Sequence, residues 1–171
     1  MLECEWVKMA KPVLHQPHDK LFKAVLGKLG NARAFFREYL PDPIVPLLDW
    51  KTLHRLSPAL IHPGLKNSQS DLLFEVRARG GDGLCHLLLE HQSTEDPYVA
   101  LRMAGYVHGM LERYRRDHPG QKMPRVLAVV LAQCKGPWRS PCNPADIFPW
   151  EEEAAGFLRE YALLLRCHLV D

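Results

Sequence analysis

Apolar residues recur at helical spacing over residues 18–29, where Leu21, Phe22, Val25, Leu26 and Leu29 share one face. Gly30-Asn31 interrupts that pattern. Asn31 then stands ready to cap a second helix over residues 32–40, with Phe35, Phe36 and Tyr39 inward and Pro41 as its stop. Residues 42–67 hold four prolines and read as mostly loop, with a short structured piece over residues 47–56. Residues 70–79 alternate: Leu72, Phe74 and Val76 point one way, Asp71, Leu73, Glu75 and Arg77 the other, as in a strand. Gly80-Gly81-Asp82-Gly83 makes a turn into a second strand over residues 84–92. The Leu87-Leu88-Leu89 run there asks for burial on both faces. Pro97 opens a long helix to about His118, with Val99, Met103, Tyr106, Val107, Met110, Leu111 and Tyr114 as its stripe.

The nearly wholly apolar residues 126–133 read as a central strand. Strand, helix and strand form a crossover, which requires parallel pairing. A Pro-rich loop to Pro149, a short helix near residues 151–158 and a last strand over residues 163–170 complete the chain. The elements predict an α/β sandwich around a mixed sheet, with residues 1–16 as a loose lead-in and residues 17–171 as one domain.

Composition narrows the functional classes. The 171 residues suit a single core-bearing domain. A formal net charge of +2 excludes a basic field over the whole molecule, so any DNA contact requires a local patch. The five cysteines are odd in number and form no C-x-x-C pair, which argues for reduced thiols rather than zinc or a disulfide framework. Residues 1–12 lack the apolar stretch of a signal peptide, and no apolar run approaches the roughly 20 residues of a membrane span. The expectation is a cytoplasmic protein with no membrane partner.

The candidate chemistry lies on the hairpin. Glu90 and Gln92 alternate along one strand and share a face, ~7 Å apart at ~3.3 Å per residue. Asp71 opens the neighbouring strand where Glu90 closes its own, so antiparallel pairing brings the two carboxylates to one edge. Two close carboxylates need a proton or a cation. A hard ion such as Mg²⁺ takes oxygen ligands of this kind. Gln92 offers a neutral donor and acceptor for a water or a phosphate oxygen. By spacing alone, a turn acid opening one strand and a surface acid closing another is the stronger reading.

Several ordered motifs add to this. His18-Asp19-Lys20-Leu21-Phe22-Lys23, Ala34-Phe35-Phe36, Leu48-Asp49-Trp50, Ser70-Asp71-Leu72-Leu73-Phe74, Leu87-Leu88-Leu89-Glu90-His91-Gln92-Ser93, Glu112-Arg113-Tyr114 and Gly136-Pro137-Trp138 follow one another along residues 17–140. Together they resemble the recombination-promoting nuclease family, also described as transposases, of the PD-(D/E)xK nuclease superfamily. The resemblance implies a restriction-endonuclease-like core of α-β-β-β-α-β type, its mixed central sheet flanked by helices. It implies Mg²⁺- or Mn²⁺-dependent DNA cleavage in recombination or transposon-like mobility. Asp71 and Glu90 match the motif acids, Gln92 falls where the superfamily usually has Lys, and the carbonyl of His91 is a further metal ligand by the same likeness. Ser70 replaces the motif proline, and Ala132-Gln133-Cys134-Lys135 replaces an expected aromatic-His pair. The domain is expected to be C-terminally short relative to the family. The alternative is therefore a catalytically inactive, truncated relative that binds DNA, a second copy of itself or a longer paralogue.

Other residues carry two readings each. Asp19 suits a helix N-terminus, or, by the resemblance, supplies a third metal-binding acid. His91 faces away from Glu90 and Gln92 and reads as a packing or hydrogen-bonding residue. Arg102, Arg113 and Arg116 are DNA-binding candidates for phosphate, with solvated helix positions as the competing reading. Cys134 reads as a buried structural thiol.

Overall fold

A computed structural model describes residues 17–57, 72–148 and 165–171, with backbone alone for residues 17–19. The expected lead-in, Asp71 and the helix near residues 151–158 lie outside the described residues. The elements run α1 (Pro17–Leu26), α2 (Leu29–Tyr39), β1 (Leu48–Leu56), β2 (Leu72–Ala78), β3 (Leu84–Gln92), α3 (Val99–Asp117), β4 (Arg125–Ala132) and β5 (His168–Val170). The strands form one sheet in the order β1-β2-β3-β4-β5. β1, β2 and β3 pair antiparallel, while β3, β4 and β5 pair parallel. This is the mixed α/β sheet flanked by helices, consistent with a restriction-endonuclease-like fold. No helix among the described residues is long and apolar enough to cross a membrane.

Strand parity builds the core on both faces of the sheet. On the α1–α2 face, Leu72, Phe74, Leu87 and Leu89 pack with Phe22, Phe36 and Trp50. On the α3 face, Leu73, Leu88 and Val130 pack with Met103, Tyr106 and Met110. Each such fully buried side chain contributes about 1.5–3 kcal/mol over an exposed one. The hairpin register Leu72↔Leu89 and Leu73↔Leu88 keeps the two sets apart, since a slip of one residue would exchange the faces.

The helical start differs from the periodicity. α1 ends at Leu26 because Gly27 closes on Lys23: a Cβ there would stand 2.3 Å from the Lys23 carbonyl oxygen. Leu29 continues the spacing but opens α2. Lys28, not Asn31, is the N-cap residue, and it makes no side-chain cap. Asn31 lies inside α2, and its Nδ2 donates to the carbonyl of Val25 at 2.9 Å, satisfying a C-terminal carbonyl of α1 instead. Leu21 and Val25 of α1 are exposed; Tyr39 is exposed too, because α2 turns Ala32 and Phe36 inward.

The short structured piece is a full strand, β1, with an irregularity. Leu48↔Ala78 and Asp49↔Arg77 pair in one register, His54↔Glu75 and Leu56↔Leu73 in another. Residues 50–53 therefore face Val76 alone. Thr52 bridges the gap: its hydroxyl donates to the Asp49 carbonyl at 2.7 Å and accepts from the Arg77 N–H at 2.9 Å. The buried positions Leu48, Trp50 and Leu53 thus break period two, which hides the strand in the sequence.

Candidate active site

The parallel strands β3, β4 and β5 end at the same edge of the sheet, the place where open α/β sheets bind ligands. Glu90 and Gln92 sit there at the end of β3. Glu90 is buried, on the face covered by α3. Its Oε1 accepts from Gln92 Nε2 at 2.6 Å and from Arg102 Nη2 at 3.0 Å. Its Oε2 is buried and has no hydrogen-bond partner among the described residues. A buried, unsatisfied carboxylate oxygen costs at least about 1–3 kcal/mol. A cation at that oxygen would remove the cost, so the donor chemistry of Glu90 fits a hard metal ion.

Arg102 comes from the first turns of α3, and its other terminal nitrogen pairs with Asp96. Asp96 is fixed in turn, since its Oδ1 accepts from the Tyr98 N–H at 2.9 Å as the chain enters the helix. The result is a line of four side chains, Gln92, Glu90, Arg102 and Asp96, with the guanidinium offsetting the charge of both carboxylates. Sequence reasoning missed Asp96. Its signal was the acid just before Pro97, where a short side chain commonly bonds its own backbone two residues on.

His91 points to the opposite face, as alternation requires. Its ring stacks on Phe22 at 5.0 Å, and its Nε2 pairs with Gln133 Oε1 at 2.9 Å. Gln133 and Cys134, which stand where an aromatic-His pair was expected, hold the strand end: Gln133 N–H donates to the Gln92 carbonyl at 2.8 Å. Cys134 is half-buried rather than buried, because its Sγ lies at the strand end, 3.8 Å from the same carbonyl oxygen. Desolvation, then the charges of Glu95 and Asp171, push its thiol pKa up, away from a reactive thiolate. The neighbouring loop is tied down by Glu95, which accepts from the Arg139 N–H at 2.7 Å and the Ser140 hydroxyl at 2.8 Å. Those hydrogen bonds, that of Ser140 first, hold the Glu95 carboxyl below its ordinary pKa.

The structure brings Glu90, Gln92 and Arg102 together. Asp71 lies outside the described residues, as does the side chain of Asp19. Among the described residues no group of three or more His, Cys, Asp or Glu could hold a metal ion. Arg113 and Arg116 are not part of the cluster. They lie 11 and 14 residues beyond Arg102 on α3, which is ~16 and ~21 Å along the helix. Arg113 there reaches Asp117 at 3.4 Å, and the adjacent Arg115 reaches Glu112 at 2.9 Å.

Comparisons with known proteins bear on this arrangement. The family model described as "Putative transposase, YhgA-like" matches residues 16–169. The recombination-promoting nuclease RpnA of Escherichia coli (strain K12) is 39% identical over 123 residues, 72% of this chain and 42% of that protein. The recombination-promoting nuclease RpnC of the same organism is 36% identical over 118 residues, 68% of this chain and 39% of that protein. A shorter protein from that strain, named "Putative inactive recombination-promoting nuclease-like protein YjiP", is 38% identical over 90 residues, 53% of this chain and 87% of its own length. The chain thus spans about two fifths of the length of RpnA and RpnC. No solved structure matches the chain. With 154 of its 171 residues inside that model, the chain belongs to the family of YhgA-like transposases and recombination-promoting nucleases.

Proposed function

We propose that the domain is a metal-dependent DNA endonuclease acting in recombination or transposon-like mobility. The observation that carries this reading is Glu90: buried at the carboxyl end of a parallel strand, with one oxygen doubly held and the other unpartnered among the described residues. Asp71 is one peptide bond from Leu72, whose strand partner Leu89 precedes Glu90. Asp71, Glu90 and the carbonyl of His91 would hold Mg²⁺ or Mn²⁺, with Asp19 as a further candidate acid. A bound ion of this type polarises a phosphodiester and lowers the pKa of its water.

The residues of the chain divide the remaining work. Arg102, itself held by Asp96, fixes the Glu90 carboxylate and offsets its charge. Gln92 donates its amide proton to Glu90, which leaves its amide oxygen to accept from the attacking water. The test is nicking of plasmid DNA in Mg²⁺ by wild type, Asp71→Ala and Glu90→Ala. Wild type alone should cut, and equal cutting by all three would remove the site assignment.

A second reading, an inactive relative that binds DNA or a longer paralogue, is favoured by the similarity to the protein named "Putative inactive recombination-promoting nuclease-like protein YjiP". It expects salt-sensitive DNA binding with no cleavage in any divalent ion.

A further inference from the structure

We propose that the open concavity between α2 and the irregular part of β1 is a binding site for the phosphate backbone of nucleic acid. The proposal rests on the nuclease reading for its choice of polyanion. The concavity has a volume of about 490 Å³ and is lined by four cations, Arg33, Arg37, Lys51 and Arg79. They come from three separate places: one face of α2, the β1 irregularity and the turn after β2. Spacing of four along α2 puts Arg33 and Arg37 one above the other. None of the four has an ion-pair partner among the described residues. Arg33 Nε is a buried donor that also lacks a hydrogen-bond acceptor there.

Two acids, Asp42 and Asp49, share the rim. The Asp49 carboxylate is engaged locally, accepting from the Lys51 N–H at 3.2 Å. The concavity keeps an excess of two positive charges over its acids, as much as the formal +2 of the whole chain. The contrast with the end of α3 is direct, because there Arg113 and Arg115 face their own acids.

The chemistry favours a polymer over a single small anion. Arg37, Lys51 and Arg79 are exposed, and an exposed cation gives one anion little. Several such cations on a polyanion each release counterions, and those contributions add. Trp50 lies buried in the wall with its Nε1 donating to the Val45 carbonyl at 2.9 Å. The register Asp49↔Arg77↔Leu84 sets the concavity at the opposite end of the sheet from Glu90. Six residue steps along β3 take Leu84 to Glu90, ~20 Å in the strand direction at ~3.3 Å per residue.

The experiment is binding of a fluorescent 30-base-pair duplex to the full chain in EDTA, at several salt concentrations. The variant carries Arg37→Gln, Lys51→Gln and Arg79→Gln, all at exposed positions. Its affinity should fall at least about tenfold at 0.1 M salt, and its salt slope should shrink by up to about 2.7. Unchanged affinity and slope overturn the proposal. So does a slope that shrinks only in Arg113→Gln with Arg116→Gln, or binding of phosphatidylserine vesicles in place of the duplex. Plasmid nicking in Mg²⁺ keeps the two ideas apart. A wild type that binds DNA through these residues but never cuts leaves this site standing and removes the nuclease reading. A wild type that cuts while the triple variant binds like it does the reverse.

Discussion

Glu75 and Glu90 are both carboxylates on the α3 face of the sheet, near opposite ends, and their surroundings differ in kind. Glu75 on β2 spends both oxygens on imidazoles: His54 at 3.4 Å and His86 at 2.9 Å. Its side chain keeps 18% of its exposure, whereas that of Glu90 keeps 4%. Glu90 spends one oxygen on two donors and leaves the other buried without a partner among the described residues. At the Glu75 end the unsatisfied atom is His86 Nδ1, a ring nitrogen rather than a carboxylate oxygen. A bare carboxylate oxygen is far costlier to bury. A satisfied acid explains itself by stability; an unsatisfied one calls for chemistry.

That contrast is sharpened first at Arg102. Arg102→Ala strands a buried carboxylate, and a fully buried pair broken in this way costs 3–5 kcal/mol. Arg102 is one-third exposed, so a loss of about 2 kcal/mol is expected in urea unfolding. Adding Glu90→Gln to that variant should recover much of the loss, since the stranded charge is then gone; strictly additive effects would break the pairing argument. Glu75→Ala should cost less, about 1 kcal/mol, chiefly from the lost bond to buried His86. A larger cost than that of Arg102→Ala would reverse the order of the two ends.

Much of this was readable in the chain. The alternation of Leu72, Phe74 and Val76 and the Leu87-Leu88-Leu89 run give the hairpin, and the crossover gives the parallel pair. Parity alone sends Glu90 to α3 and His91 to Phe22. The strand character of β1 was hidden because its buried residues shift spacing at the irregularity. Asn31 misled because the propensity to cap is local, whereas its partner, the Val25 carbonyl, belongs to the preceding helix. Arg102 read as a phosphate ligand because helix position shows which way it leaves α3 but not that Glu90 and Asp96 meet it. The basic concavity was invisible for the same reason: Arg33, Lys51 and Arg79 are far apart until β1 pairs with β2.

The central claim is that the Glu90 oxygen left without a partner among the described residues is there for a metal ion. Calorimetric titration of Mn²⁺ into wild type, Glu90→Gln and Glu75→Gln reads this without requiring cleavage. The account predicts that wild type and Glu75→Gln bind alike and that Glu90→Gln weakens binding by at least about tenfold. Equal Mn²⁺ affinity in wild type and Glu90→Gln would contradict it.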